Sequence, residues 1–252
     1  MADSVLIKII NGALRYKGEG QYVLSQVNMS IAKHQWTSVL GKSGCGKTSL
    51  LRFLAGLLDE KVDWSGSVET PLQGDLSQHV AYMAQQDLLM PWLSVMDNVC
   101  LRFRLSNKKI TEPEKQQATA LIEQVGLLDK IHHFPEQLSG GMRQRVALAR
   151  TLMQDKPLVL MDEPFSALDA VTRYQLQNLS VTLLQNKTIV LITHDPQEAL
   201  RLSSKIYLMH GQPAQCHSFP VPTMDVPRRL SGEIAQLQQQ LIEQLGKNHA
   251  SS

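Results

Sequence analysis

Apolar residues change rhythm along this chain, and each change marks a different kind of element. Residues 5–10 and 23–31 alternate apolar and polar positions as half-buried strands do, on either side of a polar turn at 17–20. Residues 36–40 form another strand pattern, and 49–56 read as a helix. Short strand patterns follow at 65–68 and 80–84. From about 95 to 153 the period becomes helical, with breaks near Asn107, Gly126 and Pro135. Met142, Val146, Ala149 and Met153 share one face of its last helix, for which Ser139 is a natural N-cap. Unbroken apolar runs at 158–161 and 188–193 have the pattern of buried parallel strands, with a helix at 171–185 between them. Beyond Gly211 the chain turns proline-rich and ends in a helix whose Ile234, Leu237, Leu241 and Leu245 form an apolar stripe. The order of elements predicts an α/β protein with a mostly helical insertion before its later strands.

Composition narrows the class without naming a function. No run of 18 apolar residues occurs, and residues 1–5 lack the basic and then apolar sections of a signal peptide, so the expectation is a cytoplasmic protein. A formal charge of +2 gives no ground for nucleic-acid binding. Cys45, Cys100 and Cys216 are too scattered for a disulfide framework or a zinc site. Cys45 reads as a small filler residue or a modifiable thiol.

Chemistry concentrates in three places. Gly41-Lys42-Ser43-Gly44-Cys45-Gly46-Lys47-Thr48 has the form G-x-x-x-x-G-K-T between a strand and a helix. Its glycines let backbone N–H groups close on a polyphosphate, Lys47 reaches the β/γ-phosphates, and the Thr48 hydroxyl is a hard ligand for Mg²⁺. Ser49 opens the helix whose N-terminus faces the anion. Chance would produce this pattern in roughly one chain of this length in a hundred. Asp162 and Glu163 follow an apolar run at the carboxyl end of a strand, where α/β sheets bind ligands. There Asp162 could hold Mg²⁺ and Glu163 could polarise an attacking water, although a surface acidic pair closing a strand would look the same. Leu138-Ser139-Gly140-Gly141-Met142-Arg143-Gln144-Arg145 opens a helix with free N–H groups, which suits either an anion site or a plain cap.

Together these residues resemble the ATP-binding subunit of an ABC transporter, over essentially residues 5–211. Gly41 to Thr48 resembles the Walker A loop, 138–142 the signature, 158–163 Walker B, Ser166-Ala167-Leu168-Asp169 the D-loop and Thr193-His194-Asp195 the switch histidine. Gln85 resembles the Q-loop glutamine, with Gln86 as its competitor. Tyr16 resembles the aromatic that stacks on adenine, with Tyr22 as its competitor. The resemblance implies a P-loop ABC ATPase core over 1–211, with an antiparallel β subdomain and a helical subdomain inserted at about 86–155. A C-terminal extension would occupy 212–252. It implies ATP and Mg²⁺ as cofactors, with Thr48, Gln85 and Asp162 around the metal and Glu163, His194, Lys47 and Gln85 in hydrolysis. Two copies would pair head to tail, so that Ser139, Gly140 and Gly141 of one touch the ATP held by the other and Asp169 couples the sites. Further implied partners are membrane permease subunits, received at about 85–99 where Met90 and Trp92 suit an apolar contact, and indirectly a solute-binding protein. Trp92 suits a core position equally well. The implied place is the cytoplasmic face of the cell membrane, as a peripheral subunit. Leu88-Leu89-Met90-Pro91-Trp92 resembles importers for nitrate, sulfonates, taurine and thiamine-pyrimidine precursors, with overall similarity leaning to the last. A soluble ABC ATPase without a transport role is the alternative of another class.

Overall fold

The computed structural model describes residues 4–247. Its first strand, β1 (Val5–Tyr16), runs beyond the alternation that ends at Ile10. The register shifts between Ile9 and Gly12, a bulge with Asn11 at φ 50°, and the strand then continues. Gly12 is required there because a Cβ would run into the Trp64 ring. β2 (Leu24–Ala32) and β3 (Trp36–Gly41) follow, and β3 is buried along its whole length. Next come α1 (Lys47–Leu54), β4 (Val62–Glu69) and β5 (Val80–Met83).

Four helices occupy the region of helical period: α2 (Val95–Val99), α3 (Leu101–Leu105), α4 (Glu112–Gln124) and α5 (Gly140–Leu152). Asn107 and Gly126 take left-handed conformations after α3 and α4, which ends those helices as the sequence suggests. Thr111 and Glu114 close a reciprocal capping box at the start of α4, and Ser139 caps α5. The chain then alternates β6 (Leu158–Asp162), α6 (Ala170–Leu183), β7 (Thr188–Thr193), α7 (Pro196–Leu202), β8 (Lys205–Gly211), β9 (Ala214–Phe219) and α8 (Gly232–Lys247).

One nine-stranded sheet runs in the order β4-β1-β2-β9-β8-β3-β7-β6-β5. β8, β3, β7, β6 and β5 are parallel neighbours, whereas β4, β1 and β2 pair antiparallel. β9 corrects the sequence reading of a proline-rich extension from 212 onward: it lies inside the sheet, antiparallel to β8 and parallel to β2. Its Ala214, Cys216 and Phe219 are buried, a spacing too irregular and flanked by too many prolines to stand out as a strand.

The interior divides by layer. Leu50 and Leu51 of α1 are fully buried beside strands of the sheet, each contributing about 1.5–3 kcal/mol by area. Trp36, Leu148, Met161, Leu176 and Leu191 fill the opposite face under α5 and α6. The helices α2 to α5 hold a separate core around Val99, Phe103, Ile122 and Val146. The stripe of α8 packs on α7 and β8 through Ile234 and Leu241.

Candidate functional site

The phosphate loop joins the end of β3 to the start of α1, so a buried strand fixes one side and a helix N-terminus the other. Gly46 has φ 100°, and a Cβ there would lie 2.7 Å from the Leu24 side chain. A Cβ on Gly41 would strike the Met209 carbonyl. Lys47 is buried, and its ammonium donates to the carbonyls of Gly41 at 2.8 Å and Lys42 at 2.7 Å. This closes the loop around the position where an anion would meet the N–H groups. No acidic residue occupies the first turn of α1 to oppose that anion.

β6 delivers Asp162 and Glu163 to the same end of the sheet. The buried Asp162 carboxylate accepts from the Thr48 hydroxyl at 3.1 Å through one oxygen and from the Tyr82 hydroxyl at 3.0 Å through the other. Burial, and then the Asp162 charge, push the Tyr82 phenol up to about 12, so it stays a neutral donor. Tyr82 is a site residue that sequence reading missed. Its only signal is a place on β5, which pairs with β6 next to the acid.

Glu163 has φ 45°, a left-handed conformation held by its N–H bond to the Ile192 carbonyl at 2.9 Å. Strain of this kind costs on the order of 1 kcal/mol and collects at functional sites. It turns the carboxylate so that one oxygen sits 2.9 Å from His194 Nδ1 and 3.3 Å from the Gln85 amide nitrogen. Gln85 rather than Gln86 makes this contact, and its carbonyl accepts from Gln144 of α5 at 3.2 Å. Tyr82 thus braces Asp162 directly, while Gln144 holds the backbone of Gln85.

A cavity of about 410 Å³ is lined by Tyr16, Val23, Gly46, Lys47, Thr48 and Gln85 among others. The Tyr16 hydroxyl lies 3.0 Å from the Ser49 hydroxyl, while Tyr22 lies outside that lining, half exposed beside Arg15. Ser43, Gly44 and Glu163 also face this cavity. Burial raises the Cys45 thiol, and Lys47 only partly offsets it.

Two other groups lie apart. Ser139 caps α5 through the Met142 N–H, and Ser139 and Gly140 are exposed and outside that cavity's lining. Gly141 packs against α6, where a Cβ would meet Thr172 at 2.5 Å. Asp169 caps α6 by accepting from the N–H groups of Val171 and Thr172, and these bonds hold its carboxyl below the usual range. Finally, segment 87–94 is pinned by polar groups the sequence did not flag. Asn98, fully buried, bonds the backbone of Met90, Leu93 and Ser94, and Arg150 of α5 donates to the carbonyls of Leu88 and Asp87. The pinned segment leaves Trp92 70% exposed, which overturns its core alternative.

A model of the ABC transporter family matches residues 24–166. The chain belongs to the ABC transporter family. An uncharacterized ABC transporter ATP-binding protein of Haemophilus influenzae is 42% identical over 90% of this chain and 94% of its own length. An aliphatic sulfonates import ATP-binding protein of Paracoccus denitrificans is 40% identical over 89% of this chain and 88% of its own. A taurine import ATP-binding protein of Yersinia pestis is 41% identical over 78% and 77%. The dimeric post-hydrolysis state of an ATP-binding cassette bound to ADP and Pi has a TM-score of 0.71 and 28% identity, covering 87% of this chain and all of its own. This ABC cassette is therefore an ATPase with the P-loop fold that its sequence resembles. No described helix of the cassette is long and apolar enough to cross a membrane.

Proposed function

We propose that this cassette is the ATP-hydrolysing subunit of an importer for sulfonates or taurine. The observation that carries the chemistry is the Glu163 carboxylate, turned by its left-handed backbone toward the cavity of the phosphate loop. With ATP seated on Gly41 to Ser49 and its adenine against Tyr16, Lys47 leaves the loop carbonyls for the phosphates. Glu163 takes a proton from water as the water oxygen bonds the γ-phosphorus. The bond from that phosphorus to the β-γ bridging oxygen breaks, releasing ADP and Pi. His194 and Gln85 orient Glu163 through the oxygen they share.

Two hard oxygens, the Thr48 hydroxyl and the Asp162 carboxylate, meet at 3.1 Å beside this cavity, a donor set that fits Mg²⁺. Thr48, Asp162 and Gln85 would hold the ion, which supplies neutralisation of phosphate charge when bound. Ser139, Gly140 and Gly141 serve a second copy of the chain, because Ser139 and Gly140 are exposed away from their own phosphate loop and the related cassette in solved form is a dimer. Asp169 lies between the copies and couples them. The segment 85–99, with Trp92 displayed on a pinned backbone, receives membrane permease subunits, and through them a solute-binding protein on the far side. The cassette then works at the cytoplasmic face of the cell membrane.

The two relatives above that are named for a solute are named for aliphatic sulfonates and taurine, which supports that class over nitrate and over a thiamine-pyrimidine precursor. Their import function also favours transport over a soluble ABC role. Deleting the gene should abolish growth on alkanesulfonates or taurine as sole sulfur source while sparing growth on sulfate. Normal growth on every sulfonate would remove this solute class, and failure on a pyrimidine precursor alone would replace it.

A further inference from the structure

A second cavity, larger than the nucleotide one at about 690 Å³, opens where α6, α7 and the segment before α8 converge. Four arginines line it, Arg173, Arg201, Arg228 and Arg229, against two carboxylates, Asp195 and Glu198. Burial pushes the Glu198 carboxyl up to about 7, so its negative charge is only partly present at neutral pH. Asp195 pairs with Arg173 at 3.6 Å, and the wall still keeps a net positive charge in a molecule whose overall charge is nearly balanced.

These arginines are built in rather than scattered on a surface. Arg228 is buried, and its guanidinium donates to the carbonyls of Leu200, Ser203 and Pro222 at 2.7–2.8 Å. Its Nε is buried with no hydrogen-bond partner among the described residues. A buried charged donor left without an acceptor is destabilising unless something accepts from it. Arg201 is held by Gln177 and Asn178 and lies 4.1 Å from the Tyr174 ring centroid. These bonds use two of its five N–H groups. Arg229 is exposed and makes no side-chain hydrogen bond or ion pair among the described residues. Beside them Tyr174, Leu230 and Pro227 give an apolar wall, and the first two are more than half exposed.

We propose that this cavity binds a small organic oxyanion, its charged head on the arginines and its short apolar body against Tyr174 and Leu230. The volume lies in the range of small-molecule sites, and an arginine fork recognises sulfonate, phosphate or carboxylate oxygens bidentately. The site stands apart from the nucleotide cavity and shares no lining residue with it. Two of its lining residues adjoin candidate site residues, since Ala170 follows the Asp169 cap and Asp195 follows His194.

Titration calorimetry of the full chain with hexanesulfonate, in the presence of ADP, tests this. Saturable one-to-one binding is expected, weakened roughly tenfold by Arg229→Gln and only partly restored by Arg229→Lys, which keeps the charge and loses the fork. Inorganic sulfate should compete more weakly, and hexanol should not compete. Lys130→Gln, a charge change outside this cavity, should leave affinity unchanged. Absence of saturable binding, equal affinity in Arg229→Gln, or sulfate binding as tightly as hexanesulfonate would each overturn the proposal. So would displacement by ADP, which would put the anion in the nucleotide site.

Discussion

At the scale of single residues, two buried carboxylates are treated in opposite ways. Asp162 is given two hydroxyl donors, from Thr48 and Tyr82, at the edge of the nucleotide cavity. At Glu198 burial dominates, offset in part by hydrogen bonds from Thr193 and from the Gln177 amide at 2.9 Å, with Asp195 opposing its charge and Arg173 favouring it. Its carboxyl rises from 4.5 to about 7. Between those values the folded chain holds a proton that the unfolded chain has released, so stability falls as pH rises through that window. The drop amounts to ~3 kcal/mol at its fullest. Glu198→Gln keeps the acceptor and removes the titration. Urea unfolding at pH 5 and pH 8 should show the variant more stable than the parent at pH 8 and similar at pH 5. An equal pH slope in both proteins would mean that Glu198 is not the group responsible.

The elements differ in how plainly the sequence announced them. β3, β6 and β7 were legible because strands covered on both faces must be apolar throughout, and the phosphate loop because its spacing has one dominant use. α4, α5 and α6 carry caps at Thr111, Ser139 and Asp169. β9 and the far half of β1 were not legible, since a bulge at Asn11 and irregular burial after Pro213 break the period of two. Within the site, Lys47, Thr48 and Glu163 could be named from spacing, whereas Tyr82, Gln144 and Asn98 act through contacts between distant segments. Asn98 illustrates the difference, as four bonds from one buried amide hold the turn that displays Trp92. Asn98→Ala orphans several buried backbone groups and should cost roughly 2–4 kcal/mol. Hydrogen exchange should speed up first over 88–94, with nucleotide affinity retained. Unchanged exchange there would show that the segment is held by something else.

On the scale of the whole molecule, one chain carries two features suited to anions that do not meet. The phosphate loop, Asp162 and Glu163 face one cavity, while Ser139 and Gly140 are exposed outside its lining. The proposed head-to-tail pairing would resolve this, because each copy would then complete the other's site, with ATP as the bridge that holds the pair. On that proposal hydrolysis would remove the bridge and let the pair reopen, a motion that the proposed membrane partner at 85–99 would feel. The cationic cavity between α6, α7 and the segment before α8 sits beside both Asp169 and His194, so an anion there would bear on the same motion.

Sedimentation velocity of Glu163→Gln with and without ATP tests the composite site most directly. Without a base the variant should bind ATP, fail to hydrolyse it, and shift from monomer to dimer on adding nucleotide. Adding Ser139→Arg should keep it monomeric while ATP still binds each chain. A dimer that persists in the double variant, or a Glu163→Gln protein that stays monomeric with ATP bound, would contradict the account.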